Sequence, residues 1–439
     1  MTPMRRGVLP GLSAGVIAAL LPTATPVAAA GVLPVAAFLE GVETDSGLSA
    51  HRRDLRAGGF AGTPYVRDLE FRIRNEAFDL GRQRYSVQLS PKGFGEEGAS
   101  RRMLGALSGR NAGTYESLRN GALKDRYGIV LDYMAGTVLA ALYDRLSALE
   151  DERIRVLERQ SVTDAFDLGD ILRAEASQTR HGERAEEARA LAARALERAR
   201  RLTGDPAFAG FDTLGVVTVA EVIARLDAYD RAADAPAPDN VHLREAGDDA
   251  AAAAAQYKLA LAETRRFVSF VEFGYDRGNR LNEIEDRDRG REYDLDRAYI
   301  LELGFRLPWI STDRSGVVRR RAEMNNRRAE LRRESEELAA DLREEVRALR
   351  ALGARHAALE ARDAALDIPA RLRRYARQGA ADPLVVLTLR QAQWENVLRR
   401  EEVRFDLLRG YIEAADLAGD IARRPLRNLL QAAPGGGGP

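Results

Sequence analysis

The side chains able to do chemistry are numerous here, but their spacing does not assemble them. Four histidines, His51, His181, His242 and His356, are scattered, and no two share an i, i+4 spacing that would place both on one helical face as metal ligands. Cysteine is absent, which excludes disulfides, thiolate metal sites, cysteine nucleophiles and a lipid-modified N-terminal cysteine. Gly304, Gly316 and the other glycines form no phosphate-binding loop. Carboxylates are plentiful but lie among arginines at helical spacing. Glu336, Glu337, Asp341 and Glu345 with Arg343 and Arg347 are i, i+4 partners on a wet face. This pattern predicts no enzyme, no metal and no cofactor. Two charged clusters fall at loop-to-helix boundaries instead: Asp164, Asp167 and Asp170, and Arg374, Arg377 and Asp382. Their chemistry is helix capping and ion pairing.

The elements that position these charges are long. The 439 residues carry 67 basic and 67 acidic side chains, with 31% charged and only 6% aromatic, a composition of solvated helices rather than a compact enzyme core. The neutral balance offers no electrostatic reason to expect nucleic acid. Two stretches of equal length, Leu168 to Gly204 and Pro383 to Gly419, align without a gap; each opens at a loop, runs as a charged helix and stops at a glycine. Upstream of each lies a strand ending Leu89-Ser90-Pro91 or Arg306-Leu307-Pro308, then a glycine (Gly98, Gly316) opening a long helix. A strand–helix–helix unit is thus used twice.

The strands show a two-residue period. Leu69, Phe71 and Ile73 alternate with Glu70, Arg72 and Arg74, and Tyr85, Val87 and Leu89 with Arg84, Ser86 and Gln88. The second half repeats this with Phe267, Val271, Phe273 and Tyr275, where Phe270 breaks the alternation, and with Tyr299, Leu301, Leu303, Phe305 and Leu307. A charged loop, Asp276 to Arg297, lies between them. An ordinary half-buried sheet has the same alternation. Two hairpins among long helices would make a poor core, however, and each strand has the length that spans an outer membrane, roughly 9–11 residues. Four strands cannot close a barrel, which needs about eight, so several protomers would have to pool them.

Helix lengths predict a hairpin column. Ala99 to Gln160 is long enough to reach about 93 Å. The return path is Asp170 to Thr203 followed by Val241 to Arg266. In the second half Val317 to Arg377 goes out, Leu384 to Ala418 comes back, and the N-terminal Leu33 to Gly59 completes the column. The N-terminus reads as a secretory signal: Arg5 and Arg6, then apolar Val8 to Leu21, then Ala28-Ala29-Ala30 before Gly31.

Taken together, these residues resemble the TolC family of outer-membrane efflux proteins. The similarity lies in Leu303-Gly-Phe-Arg-Leu-Pro-Trp309 before a Gly and an arginine-rich helix. It lies also in Arg374-Tyr-Ala-Arg-Gln-Gly379 with Asp382 to Gln393, and in Asp239-Asn-Val-His-Leu243 before an alanine-rich helix. The resemblance covers essentially the whole mature chain and implies its fold class: mainly α with β, a tandem repeat giving four transmembrane strands to a trimeric twelve-stranded barrel, continued by a periplasmic α-helical barrel. The implied segments are a signal peptide (1–30), an N-terminal helical segment (31–66), a first β-hairpin (67–91), a first helical hairpin (92–204), an equatorial insertion (205–240), a connecting helix (241–266), a second β-hairpin (267–308), a second helical hairpin (309–419) and a flexible tail (420–439).

The resemblance also implies a homotrimer in outer-membrane lipid, working with a periplasmic adaptor and an inner-membrane pump of RND, ABC or MFS type. In this family the tunnel tip is closed by ion pairs and often an aspartate ring. Here the ring positions of the second repeat are the uncharged Val385 and Thr388, whereas Asp170 matches in the first, beside Asp164 and Asp167. A tip gate would therefore draw on Asp164, Asp167, Asp170, Arg374, Arg377 and Asp382, the alternative being helix caps and solvated loop charges. The alternative overall function is a soluble periplasmic coiled-coil scaffold or adaptor. Adaptors, however, carry one helical hairpin between lipoyl halves and β-barrel domains, and this chain lacks the run of short strands they need.

Overall fold

The computed structural model describes residues 31–57, 65–75, 83–160, 167–213, 215–234, 236, 240–277, 297–305, 314–377 and 382–432. The expected secretory leader, Asp164, most of the charged loop before Arg297, the Pro308-Trp309 junction and the glycine-rich end after residue 432 lie outside them.

Helix α3 (Glu96–Gln160) is the spine. It opens with Glu96 and Glu97 against the positive end of the helix dipole, and Glu96 accepts a bond from the Gly93 N–H at 2.6 Å. The chain returns as α4 (Leu168–Thr203), which ends on Gly204 at φ +68°, the left-handed conformation that closes a helix at little cost in glycine. Below the middle of the molecule α3 packs on α4; above it, α3 packs on α6 (Val241–Thr264). Small residues permit the close approach: a Cβ on Gly136 would lie 2.6 Å from the Ala188 carbonyl and 2.7 Å from the Ala192 nitrogen. Because those atoms are backbone, only separation of the helices relieves the clash. Gly136→Val is expected to destabilise the fold by about 1–3 kcal/mol, read in a urea or thermal melt.

The second half repeats the pattern with α7 (Arg314–Leu366) going out and α9 (Pro383–Leu417) coming back. The expected single helix from Val317 to Arg377 is broken. Asp367 takes φ +38°, ψ +51° and caps a separate short helix, α8 (Ile368–Ala376). Pro369 explains the break: proline has no N–H to continue the helical ladder, and it is tolerated only in a first turn.

The two hairpins form one sheet. Strands β2 (Val66–Asn75), β3 (Gln83–Pro91), β5 (Val268–Arg277) and β6 (Arg297–Phe305) are antiparallel in the order β2-β3-β5-β6, so β3 joins β5 across the two halves. Phe270 breaks the alternation because a register shift falls between Val268 and Phe270. Its ring lies where any side chain on Gly304 would have to go.

The apolar core sits at the middle of α3, not in the sheet. Here strand β1 (Val32–Pro34) pairs in parallel with β4 (Gly210–Asp212). Helix α1 (Val35–Glu40), a 3-10 turn (Gly41–Thr44) and α2 (Ser46–Ala57) pack on α3. The N-terminal segment thus lies against the first-half spine and does not complete the second column. Helix α5 (Val219–Asp234) rests on α7 and α9, capped reciprocally by Thr218 and Glu221. The expected flexible tail is also corrected. Residues 420–432 are ordered, with Ile421 and Leu430 buried, the Val217 N–H donating to the Leu430 carbonyl at 2.8 Å, and Ala432 N–H donating to Gly215 at 2.8 Å. Burial of these two apolar side chains in the core holds the segment in place.

Candidate functional sites: an inverted sheet, a polar junction and a helical tip

Strand register turns the two-residue alternation into rungs. One face carries Leu69–Leu89–Val271–Leu303, Phe71–Val87–Phe273–Leu301 and Ile73–Tyr85–Tyr275–Tyr299. The other carries Glu70–Gln88–Glu272–Glu302 and Arg72–Ser86–Gly274–Ile300. Burial is the reverse of a soluble sheet: Phe71 is 72% and Leu301 65% exposed, whereas Ser86 is 3% and Glu272 7% exposed. Apolar side chains facing outward on a sheet with two unpaired edge strands have no stable place in water, but they fit hydrocarbon if neighbours close the edges. No helix among the described residues is long and apolar enough to cross a membrane.

The second feature lies where α6 begins and α9 ends against α3. Asp416, buried, accepts bonds from Asn120, from Lys124 at 2.8 Å and from His242 at 3.1 Å. Asn120 and His242 tie the end of α9 to two other helices, and Asn240 donates to the Leu417 carbonyl at 2.8 Å. Burial alone would raise the Asp416 carboxyl, but the bonds from His242, Lys124 and Asn120 outweigh it and bring it down to about 2. The bond to Asp416 raises His242, against a smaller opposing effect of burial.

The two groups set a pH window. His242, raised in the fold, contributes stability fully present below its ordinary 6.5 and lost as pH rises through its folded value. Asp416, depressed, contributes stability present above its ordinary 3.8 and lost as pH falls through about 2. The melting temperature in detergent is therefore expected to fall on the alkaline side of pH 6.5, and His242→Gln to flatten that limb and also to shrink the acid one, because His242 helps hold Asp416 down.

At the far end of the helices, the tip residues separate by role. Asp167 caps α4, accepting from the Gly169 N–H at 2.8 Å, and Asp170 pairs with Arg173 in the first turn. Asp382 caps α9 by accepting from the Leu384 N–H at 2.9 Å. Arg374 ends α8 and Arg377 follows it, both exposed. Among the described residues, no ion pair joins either arginine to Asp167 or Asp170. Within one chain the structure brings the aspartates to helix starts and leaves the arginines facing solvent.

Among the described residues nothing else assembles a reactive site. An open groove of about 970 Å³ lies between α5, α7 and α9, but its arginines already have carboxylates: Arg350 with Asp227 and Asp230, Arg400 with Asp363, Arg404 with Glu401; the His356 ring lies 3.8 Å from Glu360. Among the described residues no group of three or more His, Asp or Glu side chains could hold a metal ion.

No protein-family profile and no curated protein sequence matches the chain. Solved structures do. The outer-membrane channel OprN aligns with 88% of this chain and 90% of its own, at a TM-score of 0.62 and 16% identity. The outer-membrane protein VceC from Vibrio cholerae aligns over 88% and 96%, at 0.60 and 13%. The fold is that of a TolC-type outer-membrane channel. The open state of the MtrE outer-membrane channel of Neisseria gonorrhoeae aligns over 90% of both chains, at 0.54 and 12%. The TolC-type fold places the inverted sheet and the helical tip at opposite ends of the molecule. The expected fold class, mainly α with a four-stranded contribution from each chain, is what the structure has. The Asn120–His242–Asp416 junction was not anticipated. Its one sequence signal is Asp416 as the single charge in the short apolar run Ala414 to Ala418.

Proposed function

We propose that this chain is the outer-membrane channel of a tripartite efflux or type I secretion system. It is a passive exit duct, energised by an inner-membrane pump through a periplasmic adaptor. The observation that carries this is the inverted sheet: apolar rungs outward, Ser86 and Glu272 shielded at the centre of the opposite face, and both edges open. Four strands are half of what the smallest barrel needs, and three chains closing edge to edge supply twelve. A homotrimer therefore satisfies the strand edges and the exposed apolar face at once, which a soluble scaffold or adaptor does not. No step of chemistry is needed. A water-filled tunnel leaves selection of cargo to the pump, whether drugs, metal ions or polypeptides.

Heat-modifiable trimers in outer-membrane fractions and single-channel conductance of the purified protein in planar bilayers are the expected results. Recovery of the mature chain as a soluble monomer without detergent would overturn the proposal.

The gate reading of the tip belongs to the same proposal. In the trimer, Arg374 and Arg377 would meet Asp164, Asp167 or Asp170 of a neighbour. Exposed pairs contribute at most about 1 kcal/mol each, so the closure would be light and sensitive to salt. Arg374→Glu with Arg377→Glu is expected to raise conductance. Unchanged conductance would leave these residues as caps and surface charges.

A further inference from the structure

The shielded face of the sheet holds a connected set of charges, and one carboxylate is its centre. Glu272 on β5 lies 3.9 Å from Arg72 of β2 and 3.7 Å from Arg84 of β3, and Arg84 is also 3.9 Å from Glu302 of β6. Arg72 in addition donates to its neighbour Glu70 at 2.7 Å. Arg72 reaches Glu272 from the adjoining rung, whose other members Ser86 and Gly274 are small, and Arg84 reaches it across that same rung. Ser86 faces Gly274, and a Cβ on Gly274 would come within 3.7 Å of the Arg84 Nε. Arg72 crosses β3 over Ser86; Arg84 spans β5 and β6. Through Glu272 the two arginines tie all four strands together. The carboxylates differ sharply in access: the Glu272 side chain is 10% exposed, those of Glu70 and Glu302 50% and 56%.

We propose that Glu272 sets the ion selectivity of the duct by holding two lumen arginines neutralised. The inference rests on the channel reading above, in which three copies close so that the charged face lines the lumen. Rings of charged side chains at such a position bias which ions pass. Three carboxylates, Glu70, Glu272 and Glu302, face the guanidinium groups of Arg72 and Arg84, so this set carries one net negative charge per chain. Without Glu272 the balance rises to zero in each chain, the lumen loses that negative charge three times over, and small anions gain access relative to cations. Glu272 is thus a specificity-determining residue that acts through Arg72 and Arg84 rather than by binding cargo.

The experiment is reversal potential under a KCl gradient across a planar bilayer, using full-length trimers. Glu272→Gln is expected to shift selectivity toward chloride, and Glu272→Asp to stay near the wild type. Arg84→Gln, which leaves negative charge in excess, is expected to shift it toward potassium. The double variant Arg84→Gln with Glu272→Gln is expected to return toward the wild-type value, which a merely structural role for Glu272 would not produce. If Glu272→Gln does not assemble, the opposite sign predicted for Arg84→Gln still tests the assignment. Trimers that conduct with an unchanged reversal potential in both variants would overturn it. Wild-type protein that forms no channel at all would instead count against the duct itself.

Discussion

Arginine in place of Phe71 or Leu301 is expected to remove this protein from the outer membrane. Both residues belong to the middle of the three apolar rungs, and both are largely exposed on the isolated chain. An arginine on the lipid face of a barrel costs about 2–4 kcal/mol at the bilayer midplane, and a trimer meets that cost three times over. Total stabilities of folded domains are about 5–15 kcal/mol, so one substitution consumes a large share. The readout is the amount of heat-modifiable trimer in outer-membrane fractions. Arg72→Leu, on the opposite face of the same strand, serves as the comparison: it adds no charge to lipid and should leave trimer yield far higher. Wild-type yield for Phe71→Arg would mean that the apolar rungs do not face lipid.

The second large effect is expected at Arg126→Ala. The Arg126 side chain is 1% exposed and donates to the Phe38 carbonyl at 2.5 Å and to Asp45 at 2.5 Å. Its guanidinium lies over the Phe38 ring, 4.7 Å from the centroid. Truncation leaves a carboxylate and a carbonyl without their donor and opens a cavity beside Gly41, a cost of about 3–5 kcal/mol for a broken buried pair. Because these contacts bind residues 35–57 to the spine, the variant should become protease-sensitive in that segment before the long helices unfold. Arg126→Lys should rescue little: a lysine presents one point charge and cannot fork between a carbonyl and a carboxylate. Limited proteolysis together with a urea melt tests both statements. Loss of less than 1 kcal/mol would assign the clamp to other contacts.

The parts of this fold that depend on period were legible in the sequence. Alternation in Leu69-Glu70-Phe71-Arg72-Ile73 and its three counterparts marks the strands, and the charged runs of α3, α4, α7 and α9 mark the helices. Those signals are local. What depends on two distant segments meeting was not legible. The joining of β3 to β5, the parallel pairing of β1 with β4, and the packing of residues 420–432 into the core each require a partner that the local sequence does not specify. The break at Asp367 was missed for another reason. Pro369 was visible, but the flanking Ala- and Arg-rich sequence has high helix propensity and masks a single left-handed residue. At the tip, Asp167 and Asp382 have the positions of helix caps in the sequence and are caps in the structure. Their meeting with Arg374 or Arg377 depends on a neighbouring chain. The junction at Asp416 was overlooked because its members lie in three segments far apart in sequence, Asn120 and Lys124 on α3, His242 on α6 and Asp416 on α9, and carry no shared motif.

The β3–β5 pairing also dictates the order in which the molecule can be made. The residues that pair, Leu89 with Val271 at one end and Gln83 with Arg277 at the other, are separated by the entire first helical hairpin and the segment after it. Contacts of such long sequence separation form slowly, because the loop between them must be closed before they are gained. The first hairpin therefore waits, with its greasy face bare and both edges open, until most of the chain has crossed the inner membrane. Throughout that interval it is an aggregation hazard of the kind cells answer with holding chaperones. Biogenesis of this protein is thus a problem of timing: the helices can fold as they emerge, while the four-stranded sheet can be completed only late and, in the proposed trimer, sealed only by two more copies.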